Sequence, residues 1–212
     1  MEHHFWHDKW ARGDIGFHEA DANPLLVRHF DVLGLAAGSR VFVPLCGKTR
    51  DIAWLLDRGH RVAGAELSRI AIDQLFAELG VVPEVTEEGK RLHYRAPDID
   101  IFVGDIFELT RDTLGPVDAV YDRAALVALP EALRTRYAAH LMAITGAAPQ
   151  LLICYDYDQS ALAGPPFSIT DDEVRCHYGD RYDLTRLESS PLAGGLKGKC
   201  PATENVWWLR PR

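Results

Sequence analysis

The clearest hydrophobic pattern in the chain runs from Val41 to Leu67. Val41-Phe42-Val43 is an apolar run rich in β-branched and aromatic side chains, and Pro44, which cannot donate a ladder hydrogen bond, ends it as a strand. Ile52, Leu55 and Leu56 then recur at i, i+3 and i+4 behind Thr49, a plausible N-cap, and Gly59 can terminate that helix. Arg61 to Ala65 returns to strand and ends at Glu66. The alternation continues. Asn23-Pro24 offers N-cap and N1 for an early helix, Ser68 precedes the stripe Ile72, Leu75, Phe76, Leu79 that Gly80 closes, and Pro130 opens a helix whose buried row is Leu133, Tyr137, Leu141 and Ile144. Ile99 to Val103, Val117 to Tyr121 and Leu151 to Tyr155 read as core strands. Glu84 to Ala96 reads as one extra strand pairing back through Ala96-Pro97-Asp98, and Thr170 with Glu173 as a capping box. Tyr182 to Leu187 and Val206 to Leu209 have no crossover helix between them and should pair antiparallel. Strand alternating with helix is the pattern of an α/β doubly wound sheet.

The turn after the first strand, Leu45-Cys46-Gly47-Lys48, is where a ligand is expected. Cys46-Gly47-Lys48-Thr49 imitates the end of a phosphate-binding loop, but that motif needs glycine at position 42, which is Phe42. A dinucleotide fingerprint fails too, because Leu45 stands where a glycine must admit the pyrophosphate. Glu66 lies nineteen residues after Gly47 (66 − 47), at the end of the second strand, where a carboxylate accepts hydrogen bonds from two ribose hydroxyls. A nucleoside without phosphates meets these constraints, and S-adenosyl-L-methionine is one. The alternative for Glu66 is a cap for the helix beginning at Ser68.

Composition narrows the setting. At 212 residues and 47% hydrophobic the chain is expected to be one domain, 1–212, with residues 1–35 as an N-terminal lid and helix segment. A net charge of −8 and a pI near 5.6 argue against nucleic acid or an anionic membrane as partner. Cys46, Cys154, Cys176 and Cys200 form no C-x-x-C pair, and no signal peptide or long apolar run occurs, so a soluble, cytoplasmic monomer with reduced thiols is expected.

Before the first strand lie Phe5, Trp6, Trp10, Phe17 and His18, aromatics of the kind that fold over a pocket as a lid or pack on a sheet as a satellite cluster. His3, His4, His7 and His18 have no ligand spacing, and no metal is expected. Ligands of open sheets lie at the carboxyl ends of strands, which suits Asp105 and Ile106 to the adenine and aims Arg123 into the same crevice. A surface aspartate starting a loop is the other reading of Asp105.

Taken together, Trp6-x-x-Lys9-Trp10, Gly13, Phe17-His18, Pro44-Leu45-Cys46-Gly47-Lys48, Asp57-Arg58-Gly59-His60, Gly64, Glu66, Asp105-Ile106-Phe107, Asp122-Arg123-Ala124-Ala125-Leu126 and Gly164-Pro165-Pro166-Phe167 resemble the bacterial thiopurine S-methyltransferases over nearly the whole chain. The resemblance implies the class I S-adenosylmethionine-dependent methyltransferase (Rossmann-like) fold: a mixed seven-stranded sheet, the last strand antiparallel, helices on both faces and an N-terminal lid. It implies that Trp10, Leu45, Glu66 and Arg123 contact S-adenosyl-L-methionine, with the backbone at Asp105-Ile106 beside the adenine, and that Phe17 and Pro166 flank the acceptor.

The animal enzymes of that family carry an arginine before the final strand, where Ala193 to Cys200 here offers only Lys197 and Lys199. Thiopurines, other thiols, and selenium or tellurium compounds are therefore all acceptors to consider, with halide acceptors in the wider family. A soft, already anionic sulfur needs positioning more than a base, so no catalytic base is named, and Arg123 is read as attracting an anionic acceptor as well as meeting the cofactor. Other classes remain: a protein that binds S-adenosylmethionine or another nucleoside without turnover, and an NAD-dependent oxidoreductase with a drifted glycine pattern.

Overall fold

A computed structural model of the chain describes residues 3–15 and 18–212. Five parallel strands form the centre: β1 (Arg40–Pro44), β2 (Arg61–Glu66), β5 (Ile99–Val103), β6 (Ala119–Arg123) and β7 (Gln150–Tyr157). On one side of them lie β3 (Glu84–Glu88) and β4 (Arg91–Ala96), on the other β8 (Tyr182–Pro191) and β9 (Ala202–Pro211), giving the order β3-β4-β5-β2-β1-β6-β7-β9-β8. β9 runs antiparallel to both β7 and β8.

The helices are α1 (His3–Arg12), α2 (Pro24–His29), α3 (Arg50–Asp57), α4 (Arg69–Leu79), α5 (Arg111–Leu114), α6 (Glu131–Thr145) and α7 (Asp171–Tyr178). Successive strand residues face opposite ways, so each central strand feeds two cores. Phe42, Val120, Leu152 and Trp207 meet Tyr137, Leu141 and Tyr178 on one face. On the other, Val41, Tyr121, Ile153 and Val206 meet Leu26, Ile52, Leu55 and Ile72. Each such burial is worth about 1.5–3 kcal/mol, against about 1 kcal/mol for a cap, so packing decides the fold and the caps set boundaries. The expected caps form: the Thr49 hydroxyl accepts from the Asp51 amide at 3.3 Å, and Asn23 Oδ1 from the Leu25 amide at 2.9 Å. Among the described residues no helix is long and apolar enough to cross a membrane.

Three expectations are corrected. The sheet has nine strands, not seven: Glu84 to Ala96, expected as one extra strand, is broken at Gly89, whose φ of +66° makes it two, so the β3–β4 hairpin adds a pair to the seven strands from β5 to β8. The fourth core strand begins at Ala119, not Val117, since its ladder to β1 starts with Ala119 opposite Val41; Asp122 and Arg123 therefore belong to the strand. The capping box is half made: Thr170 accepts from the Glu173 amide at 3.3 Å, but the Glu173 carboxylate turns to Arg134 and His177.

Candidate functional site

A cavity of about 630 Å³ opens at the carboxyl ends of β1, β2, β5, β6 and β7, within the range of small-molecule sites. Strand order reverses between β1 and β6, and ligands of open α/β sheets bind at that switch point. Leu45 directly follows β1 and Ala124 directly follows β6; both take positive φ, +46° and +63°, and both line the cavity. Neither is glycine, and such backbone strain, of order 1–3 kcal/mol each, concentrates at binding sites.

Glu66 anchors one end. Its side chain is 6% exposed, Oε2 accepts from the Gly47 amide at 2.8 Å and Oε1 from the Ser68 amide at 2.9 Å. Burial pushes its pKa up, while the amides of Ser68, Gly47 and Leu67 hold it down. Each carboxylate oxygen has two lone pairs, so these bonds leave acceptor capacity for a diol. Ser68 caps α4, its hydroxyl accepting from the Ala71 amide at 3.4 Å, and the Glu66 bond to the Ser68 amide sits at that same helix start. Glycine at 64 lets the loop approach: a Cβ there would lie 2.6 Å from Ile101 Cδ1 and 3.0 Å from Cys46 Sγ.

Beside Glu66, the Asp105 carboxylate accepts from the Phe107 amide at 2.9 Å and so caps the short turn Ile106–Glu108. The Ile106 carbonyl accepts from His140 Nε2 at 2.8 Å, which fixes that nitrogen as the protonated one. Arg136 stacks over Phe107 at 3.9 Å. The result is an apolar wall, Ile106 and Phe107, with the Asp105 carboxylate at its rim.

The N-terminal segment covers the cavity. Trp10 is 4% exposed yet belongs to neither core face, and lies over Gly47, whose added Cβ would meet its ring at 3.0 Å. Lys9 pairs with Asp14 at 2.6 Å. The segment is tied down further along, where the Asn23 amide donates to Asp51 Oδ1 at 2.7 Å and Asp51 Oδ2 accepts from the Tyr121 hydroxyl at 3.0 Å.

At the opposite end, Arg123 is 9% exposed at its side chain and pairs with Glu19 at 2.5 Å. Ile153, Tyr155 and Glu204 continue the wall, and Pro165, Pro166, Leu196 and Lys197 close it. Lys197 Nζ donates to the Pro165 carbonyl at 2.8 Å, joining two loops across the mouth. Asp122 faces away, accepting from the Tyr137 hydroxyl at 2.7 Å and the Leu126 amide at 3.1 Å. Burial pushes its pKa up to about 6.

The structure thus gathers Trp10, Leu45, Glu66, Asp105, Ile106, Arg123 and Pro166 around one cavity, while Phe17 lies outside the described residues. Sequence reasoning missed Glu19, Tyr155 and Glu204. Glu204 had a signal, a carboxylate two residues before Val206 on the face that packs inward; Glu19, in a loop, had none.

A family described as Thiopurine S-methyltransferase (TPMT) matches residues 1–201. The chain is 63% identical over 210 residues to a protein of Xanthobacter autotrophicus called thiopurine S-methyltransferase, covering 99% of each chain. A protein of Gluconobacter oxydans with the same name is 53% identical, covering 98% of this chain and 94% of its own. Among solved structures, a TehB-like SAM-dependent methyltransferase of Corynebacterium glutamicum superposes with a TM-score of 0.58 at 14% identity, covering 99% and 98% of the two chains. A Burkholderia thailandensis 1,6-didemethyltoxoflavin-N1-methyltransferase, solved with bound 1,6-didemethyltoxoflavin and S-adenosylhomocysteine, gives 0.64 at 16% identity, covering 98% and 87%. At such identities the likeness is one of fold.

Proposed function

The chain belongs to the thiopurine S-methyltransferase family, and from that premise we propose that it methylates the sulfur of a thiopurine or related thiol with S-adenosyl-L-methionine in the cavity described above. The observation that carries this reading is the buried Glu66 carboxylate, held by the Gly47 and Ser68 amides with acceptor capacity to spare. Glu66 binds the ribose hydroxyls, Asp105 and Ile106 the adenine, and Leu45 and Trp10 the methionine end, where the indole face attracts the sulfonium. Arg123 stands between cofactor and acceptor.

S-Adenosyl-L-methionine supplies an electrophilic methyl group on a positively charged sulfur. The residues of this chain contribute alignment and the exclusion of water: α1 with Trp10 acts as a lid, and Pro166 flanks the acceptor. The acceptor sulfur attacks in line. Selenium and tellurium acceptors ask for the same geometry, but Glu19 and Glu204 beside Arg123 oppose oxyanions, so sulfur is preferred. Residues 1–212 act as one domain and as a monomer, and the four unpaired cysteines support a cytoplasmic setting.

Incubation with methyl-labelled S-adenosylmethionine and a panel of thiopurines, simple thiols, selenite and tellurite tests this. Label in thiols and thiopurines above all supports it; binding without transfer overturns it.

A further inference from the structure

Three strands present a continuous polar face to the acceptor end of the cavity. Arg123 on β6 stands opposite Ile153 on β7, and Tyr155, two residues further along β7, stands opposite Glu204 on β9. Residues two apart on a strand share a face, so Arg123, Tyr155 and Glu204 look into the same space, and all line the cavity. Tyr155 and Glu204 are direct cross-strand partners, close enough for each to bear on the other's ionisation.

Charge decides what this space accepts. Arg123 brings one positive charge, and Glu19, paired with it, already offsets that charge. Glu204 adds a further negative charge and has no ion-pair partner among the described residues, while Lys197, at the rim of the same end, donates to the Pro165 carbonyl. Beside Glu204 an acceptor arriving as an anion is therefore opposed, whereas one arriving neutral with a hydrogen to donate finds an acceptor oxygen.

We infer that the acceptor enters in its neutral, protonated form, a thiol or a thione carrying a ring N–H, and that Glu204 accepts that hydrogen and takes the proton as the sulfur attacks. This rests on the sulfur-acceptor reading above. In the step, the S–H or N–H bond breaks and its proton goes to the Glu204 carboxylate. The bonding pair is left for the acceptor sulfur, directly or through the thioamide, and that sulfur forms the new S–CH3 bond. The pair of the old C–S bond stays on the departing thioether sulfur. The proton later passes to solvent, so one proton is released per methyl transferred. Burial raises the Glu204 pKa above its ordinary value, with Glu19 and Glu188 adding to the rise and Arg123 and Tyr155 opposing it, which brings the carboxylate closer to a proton acceptor matched to neutral pH.

The test compares the full-length chain with Glu204→Gln, using an alkyl thiol that is protonated at neutral pH and an aromatic thiol that is already ionised. Transfer selectivity should shift by at least about thirtyfold toward the ionised thiol, within the range of a general base. The acid limb of the wild-type pH profile for the alkyl thiol should be absent from the variant. In calorimetry on protein saturated with S-adenosylhomocysteine, affinity for the alkyl thiol should fall relative to that for the ionised one. Tyr155→Phe, a gentler change, removes an interaction that lowers the Glu204 pKa, and should move the acid limb to higher pH. Equal losses for both thiols with unaltered pH limbs overturn the inference and leave the sulfur-acceptor reading standing. A wild-type protein that binds S-adenosylhomocysteine but methylates neither thiol overturns both.

Discussion

The Gly47 amide donates a 2.8 Å hydrogen bond to Glu66 Oε2, so the turn after β1 and the carboxylate ending β2 hold each other in place. On the function proposed above, a buried carboxylate fixed in this way receives the ribose hydroxyls without reorganising. Glu66→Ala should weaken binding of S-adenosylmethionine by about 1.5–3 kcal/mol, the worth of charge-assisted hydrogen bonds plus the amides left unpaired. Calorimetry on a folded variant measures it, and unchanged affinity would sink the ribose assignment.

Gly47 has a second constraint. Its φ is +51°, and an added Cβ would press on the Trp10 ring at 3.0 Å. Gly47→Ala therefore strains the backbone by about 1–2 kcal/mol and pushes the lid outward. The expected readout is a red-shifted tryptophan emission together with weaker cofactor binding; a variant identical to wild type in both would contradict the packing described.

Deleting residues 1 to 18 removes Trp10 but keeps Glu19, Asn23 and their anchors Arg123 and Asp51. Because Trp10 belongs to neither core face, the truncated chain should fold, with circular dichroism like that of the full chain, while binding S-adenosylmethionine poorly. A chain that fails to fold would make Trp6 and Trp10 core residues.

Asp122 gives a pH dependence with a definite sign. Its folded pKa, about 6, lies above the ordinary 3.8, so the folded state holds the proton more tightly. Its contribution to stability is present at low pH and is lost as pH rises through 6, with a slope of up to about 1.4 kcal/mol per pH unit. Glu188, held at about 2 by Arg28, Ser190 and His29, acts in the opposite sense but only at lower pH. Melting temperatures of Asp122→Asn against wild type from pH 4 to 7 should therefore converge toward the acid end, and a constant difference would contradict the assignment.

Arg123→Met keeps the stem and removes the charge, leaving Glu19 and Glu204 facing each other across the acceptor end. Transfer to an anionic acceptor should fall about ten- to a hundredfold, more than cofactor affinity does. If cofactor affinity and all acceptors fell in proportion, Arg123 would be a cofactor-binding residue only.

Much of this was legible because local chemistry and tertiary packing agree. Thr49, Asn23 and Ser68 cap where their side chains predict, and the β1 turn meets Glu66 where their spacing predicts. What was not legible depended on register or on long loops. The start of β6 is decided by its ladder to β1, and the Gly89 turn adds a strand that alternation alone merges into one. The Glu19–Arg123 pair joins residues 104 apart, and Tyr155 meets Glu204 only through the β7–β9 register.

The most direct test of the account is the atom that becomes methylated. Incubating the protein with a thiopurine and S-adenosylmethionine carrying a carbon-13 methyl, and following the label by NMR, should show an S-methyl product and S-adenosylhomocysteine formed in equal amounts, with both lost in step in Glu66→Ala at limiting cofactor. Label on a ring nitrogen, or cofactor that binds and is never consumed, would contradict it.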